Sequence, residues 1–318
     1  MNVQPFSINV PQAVLDDLHK RLARTRWPDE VDGAGWEYGV KRDYLKAYTD
    51  YWQNDYDWRK HEAELNQFAH FKADVDGVGI HFIHERGKGP NPTPIILTHG
   101  WPDSFYRFHK VIPMLTDPAR FGGDPTLSFD VVVPSIPGFG FSDRKPMSQE
   151  RVADLWVKLM NGLGHDRFAA AGGDHGALVT MALGYKYPEV VTAIHLTDVG
   201  YPTGQEDFSA LSPAEQEFAS YIQSWWMQNG AYGMIQATKP QTLAYGLNDS
   251  PVGMAAWLMN LLGGEFNTLI DRDEQLTNTT IYWVTQTIGS AARIYYEGTH
   301  AEPLIKPGER VEVPSVSP

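Results

Sequence analysis

The sequence predicts an α/β protein: an open, mostly parallel sheet flanked by helices, preceded by a helical region and interrupted late by a helical lid. Three observations carry this. Short apolar runs closed by turn residues recur as "PIILTHG", "FDVVVPSIPG", "RFAAAGG" and "VVTAIHLTDV". Strands buried on both faces read this way, because neither face needs to alternate with polar residues. Helical stretches fall among these runs: "QERVADLWVKLMNGLG" turns Val152, Leu155, Trp156 and Leu159 inward, and "GALVTMALGYKYP" follows the third run. Such alternation of strand and helix is the signature of a parallel sheet. Residues 200–297 break it with a stretch rich in Trp, Tyr and Met and without a clear strand, the pattern of an inserted helical lid.

Residues 11–26 carry Val14, Leu15, Leu18 and Leu22 at helical spacing, with Pro11 at the first helical position, so an amphipathic helix is expected there. Aromatics dominate the next stretch, among them Tyr48, Tyr51, Trp52, Tyr56 and Trp58. A segment of this kind packs against a larger body more often than it forms a binding face. From about residue 68 the period changes, and "FAHFKADVDGVGIHFIHERG" reads as two strands around an Asp76-Gly77 turn. The division that results is a helical region at 1–67, a sheet core at 68–199, a lid at 200–297 and a tail at 298–318.

Composition excludes several classes. With 318 residues, 42% of them hydrophobic, the chain can bury a sizeable core. A net charge of −13 repels phosphate backbones and anionic membrane surfaces, so neither nucleic acid nor membrane is an expected partner. The absence of cysteine removes disulfides, thiolate metal sites and a cysteine nucleophile. "MNVQPFSINVPQAVLDD" lacks the basic and apolar regions of a secretory leader, and no apolar run reaches the ~20 residues that cross a bilayer, so the expected location is the cytoplasm.

The chemistry-bearing corner is "AAAGGDHGAL". Gly172, Gly173 and Gly176 wall Asp174 and His175 between a strand and a helix. That is the arrangement of a nucleophile elbow, in which the central side chain stands clear at the carboxyl end of the sheet. The same five residues equally fit an aspartate that caps the following helix. A second motif, "LTHGWPDSFYRF", follows the first buried run. In that position a loop can supply one backbone N–H of an oxyanion hole, from Trp101, while the residue after the nucleophile, His175, supplies the other.

Together these motifs resemble the epoxide hydrolases of the α/β-hydrolase fold, in particular the branch related to microsomal epoxide hydrolase that begins with a helical region. "FSINVPQAVLDDLHKRLARTRWPDE" is similar to that region, "HGWPDS" to the family's His-Gly-X-Pro loop, and "GGDHGA" to its nucleophile corner. "ATKPQTLAYGLNDSPVGMAAW" and "LTNTTIYWVTQTIGSAARIYYE" resemble its lid and the return from it. The resemblance implies a small apolar epoxide as substrate, Asp174 as nucleophile, and two tyrosines that donate to the epoxide oxygen. Matching "GAYGMIQATKP" and "ARIYYEG" puts these at Tyr232 and Tyr295, with Tyr296 a competitor. It also implies a cis bond before Pro102, and a homo-oligomer is compatible with it; no dinucleotide fingerprint or P-loop occurs, so no cofactor is expected.

The resemblance places a general base and its acid after the lid, in strands beyond the final "VEVPSVSP". Residues 1–318 are therefore expected to lack both, and the strand near 191–197 to lack an outer neighbour. Within the chain, His175, His99 and His300 are poor substitutes, and Asp198 could act only with a histidine. No metal-ligand spacing of the H-E-x-x-H kind occurs, so no metal is expected. Two alternatives stay open: a haloalkane dehalogenase, for which Trp101 would be a halide donor, and a binding protein that retains the pocket without turnover.

Overall fold

The computed structural model describes residues 1–197, 207–259, 269–306 and 308–317. Along the core run β1 (Val3–Pro5), α1 (Gln12–Ala23), α2 (Arg42–Asn54), α3 (Trp58–Leu65), β2 (His70–Asp74), β3 (Gly79–Glu85), β4 (Thr93–Thr98) and α4 (Val111–Thr116). β5 (Phe129–Pro134), α5 (Gln149–Gly162), β6 (Phe168–Gly172), α6 (His175–Lys186) and β7 (Val191–Leu196) complete the alternation. The described part of 207–299 is helical: α7 (Pro213–Asn229), α8 (Ala231–Thr238), α9 (Pro240–Leu247), α10 (Pro251–Met259), α11 (Arg272–Thr285) and α12 (Ile288–Thr299). Last comes β8 (Ser315–Val316).

The strands form one mixed sheet in the order β1-β2-β3-β5-β4-β6-β7-β8, antiparallel from β1 to β5 and parallel from β5 to β8. This is the mostly parallel α/β sheet that the alternation predicts, in the α/β-hydrolase architecture that the resemblance implies. Asp76 and Gly77 both take positive φ, 58° and 75°, in the two-residue turn of the β2–β3 hairpin. That backbone matches the twist of the strands it joins. Phe82, Ile96, Phe139 and Trp156 are completely buried beside the sheet, and the Trp156 indole finds a partner in Thr98 Oγ1 at 3.2 Å. Each such side chain contributes roughly 1.5–3 kcal/mol by leaving water.

Three details depart from the sequence reading. Residues 1–67 are not wholly helical, since β1 extends the sheet by pairing with β2, Gln4 opposite Lys72. Three residues ending in Pro5 carry no alternation, and a proline is tolerated there because the strand is at the edge. Pro11 is the residue flanking α1, whose first helical position is Gln12. The outer side of β7 is partly covered: β8 pairs with it in parallel, Ile194 opposite Ser315, and the Ile194 N–H donates to Pro314 O at 2.9 Å.

The aromatic segment packs against α11. Tyr48 and Trp52 are 1% exposed, and the polar tips of α2 and its C-terminal turn meet a row of threonines. Trp52 Nε1 donates to Thr280 Oγ1 at 3.1 Å, Tyr56 Oη lies 3.0 Å from Thr277 Oγ1, and Tyr48 Oη lies 3.4 Å from Thr279 Oγ1. Buried aromatics with polar tips need such partners. α11 in turn grips the loop after β4: Asn278 Nδ2 donates to Pro102 O at 2.7 Å and Tyr282 Oη to Asp103 O at 2.6 Å. The N-terminal region thus braces the helix that holds the site's loop.

Candidate active site

β4 and β6 are neighbours, with Thr98 opposite Gly172, so the loops leaving their carboxyl ends emerge side by side. One carries Trp101, the other Asp174. Asp174 has φ 57° and ψ −131°, a conformation costly for any residue with a Cβ, on the order of 1–3 kcal/mol, and typical of functional corners. Small neighbours make room for it. A Cβ on Gly176 would stand 2.0 Å from Thr98 O, one on Gly172 2.3 Å from Gly176 O, and one on Gly100 2.3 Å from Asp174 Oδ1.

Two backbone donors converge on one carboxylate oxygen. Asp174 Oδ1 accepts from Trp101 N–H at 2.9 Å and from His175 N–H at 2.6 Å, while Oδ2 takes no hydrogen bond from the described residues. The pair of N–H groups expected from the motifs therefore exists, and it is occupied by the aspartate's own oxygen. The bond between Trp101 and Pro102 is cis, as expected.

The tyrosines gather beside this corner. Tyr232 stacks on Trp101, centroids 5.5 Å apart and planes 12° from parallel, and Tyr295 meets Trp101 edge-on at 5.9 Å and His175 at 4.3 Å. The two tyrosine rings meet edge-on, centroids 6.0 Å apart. Burial first, then the nearby Asp174 carboxylate, holds the Tyr295 hydroxyl well above its ordinary pKa, so it keeps its proton. Tyr296 is 38% exposed and stacks on His300 at 4.0 Å, one helical step away from the site. Of the two adjacent hydroxyls in α12, only that of Tyr295 is near Asp174.

A cavity of about 890 Å³ opens at Asp174, between the β4 loop and the lid. Leu258, Met259, Ile270 and Trp101 supply apolar wall, and Asp103, Arg107 and Glu274 add charged groups to it. Asp103 and Arg107 are ion-paired; burial raises the Asp103 pKa and the guanidinium counters it. Tyr232 and Tyr295 both pack against Trp101, which lines this cavity beside Asp174.

The histidines are engaged elsewhere. His99 Nε2 accepts from Ile136 N–H at 3.2 Å and its Nδ1 donates to Gly100 O at 3.0 Å; burial pushes its pKa down to about 4, so it is a neutral strut of the loop. His175 Nδ1 meets the Gln149 amide nitrogen at 2.8 Å, which leaves the ring proton on Nε2, 4.0 Å from Asp174 Oδ1. His300 is exposed at the end of α12, its Nδ1 against Tyr296 O at 2.8 Å. Asp198 lies outside the described residues. Gln149 and Asn278 escaped the sequence reading, because a lone amide in a helix carries no pattern that marks it as a partner of a distant histidine or loop.

The chain is similar to known proteins. Residues 3–108 match the family model for the epoxide hydrolase N terminus, and residues 93–263 that for the alpha/beta hydrolase fold. A Stigmatella aurantiaca protein provisionally named an epoxide hydrolase is 42% identical over 304 residues, covering 93% of this chain and 69% of that one. Epoxide hydrolase 1 of Oryctolagus cuniculus is 33% identical over 352 residues, covering 98% and 76%. The crystal structure of juvenile hormone epoxide hydrolase from the silkworm Bombyx mori superposes with a TM-score of 0.83 at 28% identity, covering 99% of this chain and 80% of that chain. With the fold, both family models and relatives matched over more than two thirds of their length, the chain belongs to the epoxide hydrolases of the α/β-hydrolase fold.

Proposed function

We propose that this enzyme opens a small apolar epoxide by attack of Asp174 Oδ2 on a ring carbon, forming an ester. The observation that supports this most is the pair of N–H groups on Oδ1, at 2.9 and 2.6 Å, which leaves Oδ2 as the oxygen able to attack. As the C–O bond breaks, negative charge grows on the epoxide oxygen. Tyr232 and Tyr295 donate to it, since an alkoxide leaves poorly unless a donor meets it. In the ester, Oδ1 becomes the carbonyl oxygen already seated between Trp101 and His175, where the charge of a tetrahedral intermediate would develop. The same two N–H groups thus serve the second, hydrolytic step.

That step needs a base to activate water. Among the described residues His99, His175 and His300 do not fill this role, for the hydrogen-bonding reasons above. The described residues thus account for ring opening. The test is the rate of epoxide loss in a single turnover with styrene oxide. Tyr295→Phe and Tyr232→Phe should each slow ring opening by about 10²-fold, the usual effect of removing one preorganised donor. Unchanged rates in both would refute the donor assignment.

A further inference from the structure

Away from Asp174, at the amino ends of the parallel strands, three buried groups converge that nothing in the hydrolase chemistry uses. His84 is near the end of β3, Asp130 is the second residue of β5, and His165 lies in the turn between α5 and β6. They are 8%, 7% and 8% exposed. One ring nitrogen of each histidine and one carboxylate oxygen of Asp130 all lie within 4.8 Å of one another. Nε2 of His84 and Nε2 of His165 are both buried with no hydrogen-bond partner. A buried imidazole nitrogen without a partner is costly, and two in one cluster call for an explanation.

We infer that His84, His165 and Asp130 form a binding site for a divalent transition-metal ion, zinc in the first place. The donor set of two imidazoles and a carboxylate suits zinc, with water completing four-coordination. Asp130 is oriented by the Gly87 N–H on Oδ1 and by Arg86 on Oδ2, each at 2.8 Å. A carboxylate has about four lone-pair positions, so both oxygens keep acceptor capacity. The Arg86 side chain is 62% exposed and can turn toward solvent as a cation enters. Bonds of about 2.0–2.1 Å put tetrahedral ligands about 3.4 Å apart, so from separations within 4.8 Å binding draws the groups together by at most about 1.4 Å. The ion would clasp β3, β5 and the turn before β6 from the side opposite the reaction.

Cobalt(II) reports such a site by its visible bands. Added to the chelator-treated 318-residue chain, it should give tetrahedral or five-coordinate bands that saturate at one equivalent and vanish when zinc is added. His84→Gln and His165→Gln should each abolish the bands while leaving the circular dichroism unchanged. Wild-type chain carrying 15N-histidine supplies a readout that needs no variant: two Nε2 resonances should shift with one equivalent of zinc. The inference is overturned if cobalt gives no bands and zinc no shifts at about tenfold excess over protein, or if the bands survive in both variants.

Discussion

At the scale of single residues, Asp174 concentrates the account. Its positive φ, its two N–H partners and the glycines around it have one purpose, to hold a carboxylate with one oxygen bound and the other exposed. Gly100 shows how little room there is. A Cβ there would lie 2.3 Å from Asp174 Oδ1 and 2.5 Å from its Cβ. Gly100→Ala should therefore turn the carboxylate off its N–H pair and slow ring opening by roughly 10²-fold or more, measured as single-turnover epoxide loss, with little change in far-ultraviolet circular dichroism. The protonation of Tyr295 gives a second expectation. Because its pKa is held well above the ordinary 10.0, the donating form persists into alkaline solution, and ring opening should stay level past that value rather than fall there. A pH–rate profile that drops with a midpoint near 10 would mean that the donor is an ordinary, exposed tyrosine. This corner was legible in the sequence because its constraints are local: a strained turn demands small residues at fixed offsets from the reactive one. Gln149 and Asn278 were not, since they reach His175 and Pro102 only through the folded chain.

At the scale of elements, the long strands and helices were legible and the short ones were not. β4, β5 and β6 announce themselves as apolar runs, and α5 as a 3.6-residue stripe. β1 and β8 span three and two residues, too few for any period, and exist because β2 and β7 present unpaired edges. The contact of α2 with α11 has an energetic consequence. Trp52 is 1% exposed and bonded to Thr280, so Trp52→Ala leaves a cavity and an unpaired hydroxyl across the joint. It should cost about 3–5 kcal/mol in denaturant unfolding. Through Asn278 and Tyr282, α11 also holds the Trp101 loop, so the same variant should slow ring opening although Trp52 does not line the cavity at Asp174. Loss of stability with an unaltered rate would break the proposed link between brace and site.

At the scale of the whole molecule, buried neutral histidines set the acid limit. The folded-state pKa values of His84 and His99 are lowered to about 4, and those of His70 and His81 are also lowered, in each case chiefly by burial. The unfolded chain takes up these protons near pH 6.5 and the folded chain only near 4, so stability is lost as pH falls through that window. A group shifted this far contributes on the order of 3 kcal/mol. Urea midpoints should therefore drop steeply from pH 6.5 to 4, and a flat profile would show that these rings are solvated. The general layout, a mostly parallel sheet with helical additions, was readable from the alternation of runs. The cluster of His84, Asp130 and His165 was not, because its members are 46 and 35 residues apart along the chain and meet only through the β3–β5 pairing and the turn before β6. The central claim remains that Asp174 is the nucleophile. Rapid quenching of the 318-residue chain with styrene oxide, followed by intact-mass and peptide analysis, tests it most directly. One epoxide mass on the peptide that contains Asp174, absent from Asp174→Asn, is the expected result; no adduct on that peptide, together with epoxide loss that continues undiminished in Asp174→Asn, would contradict it.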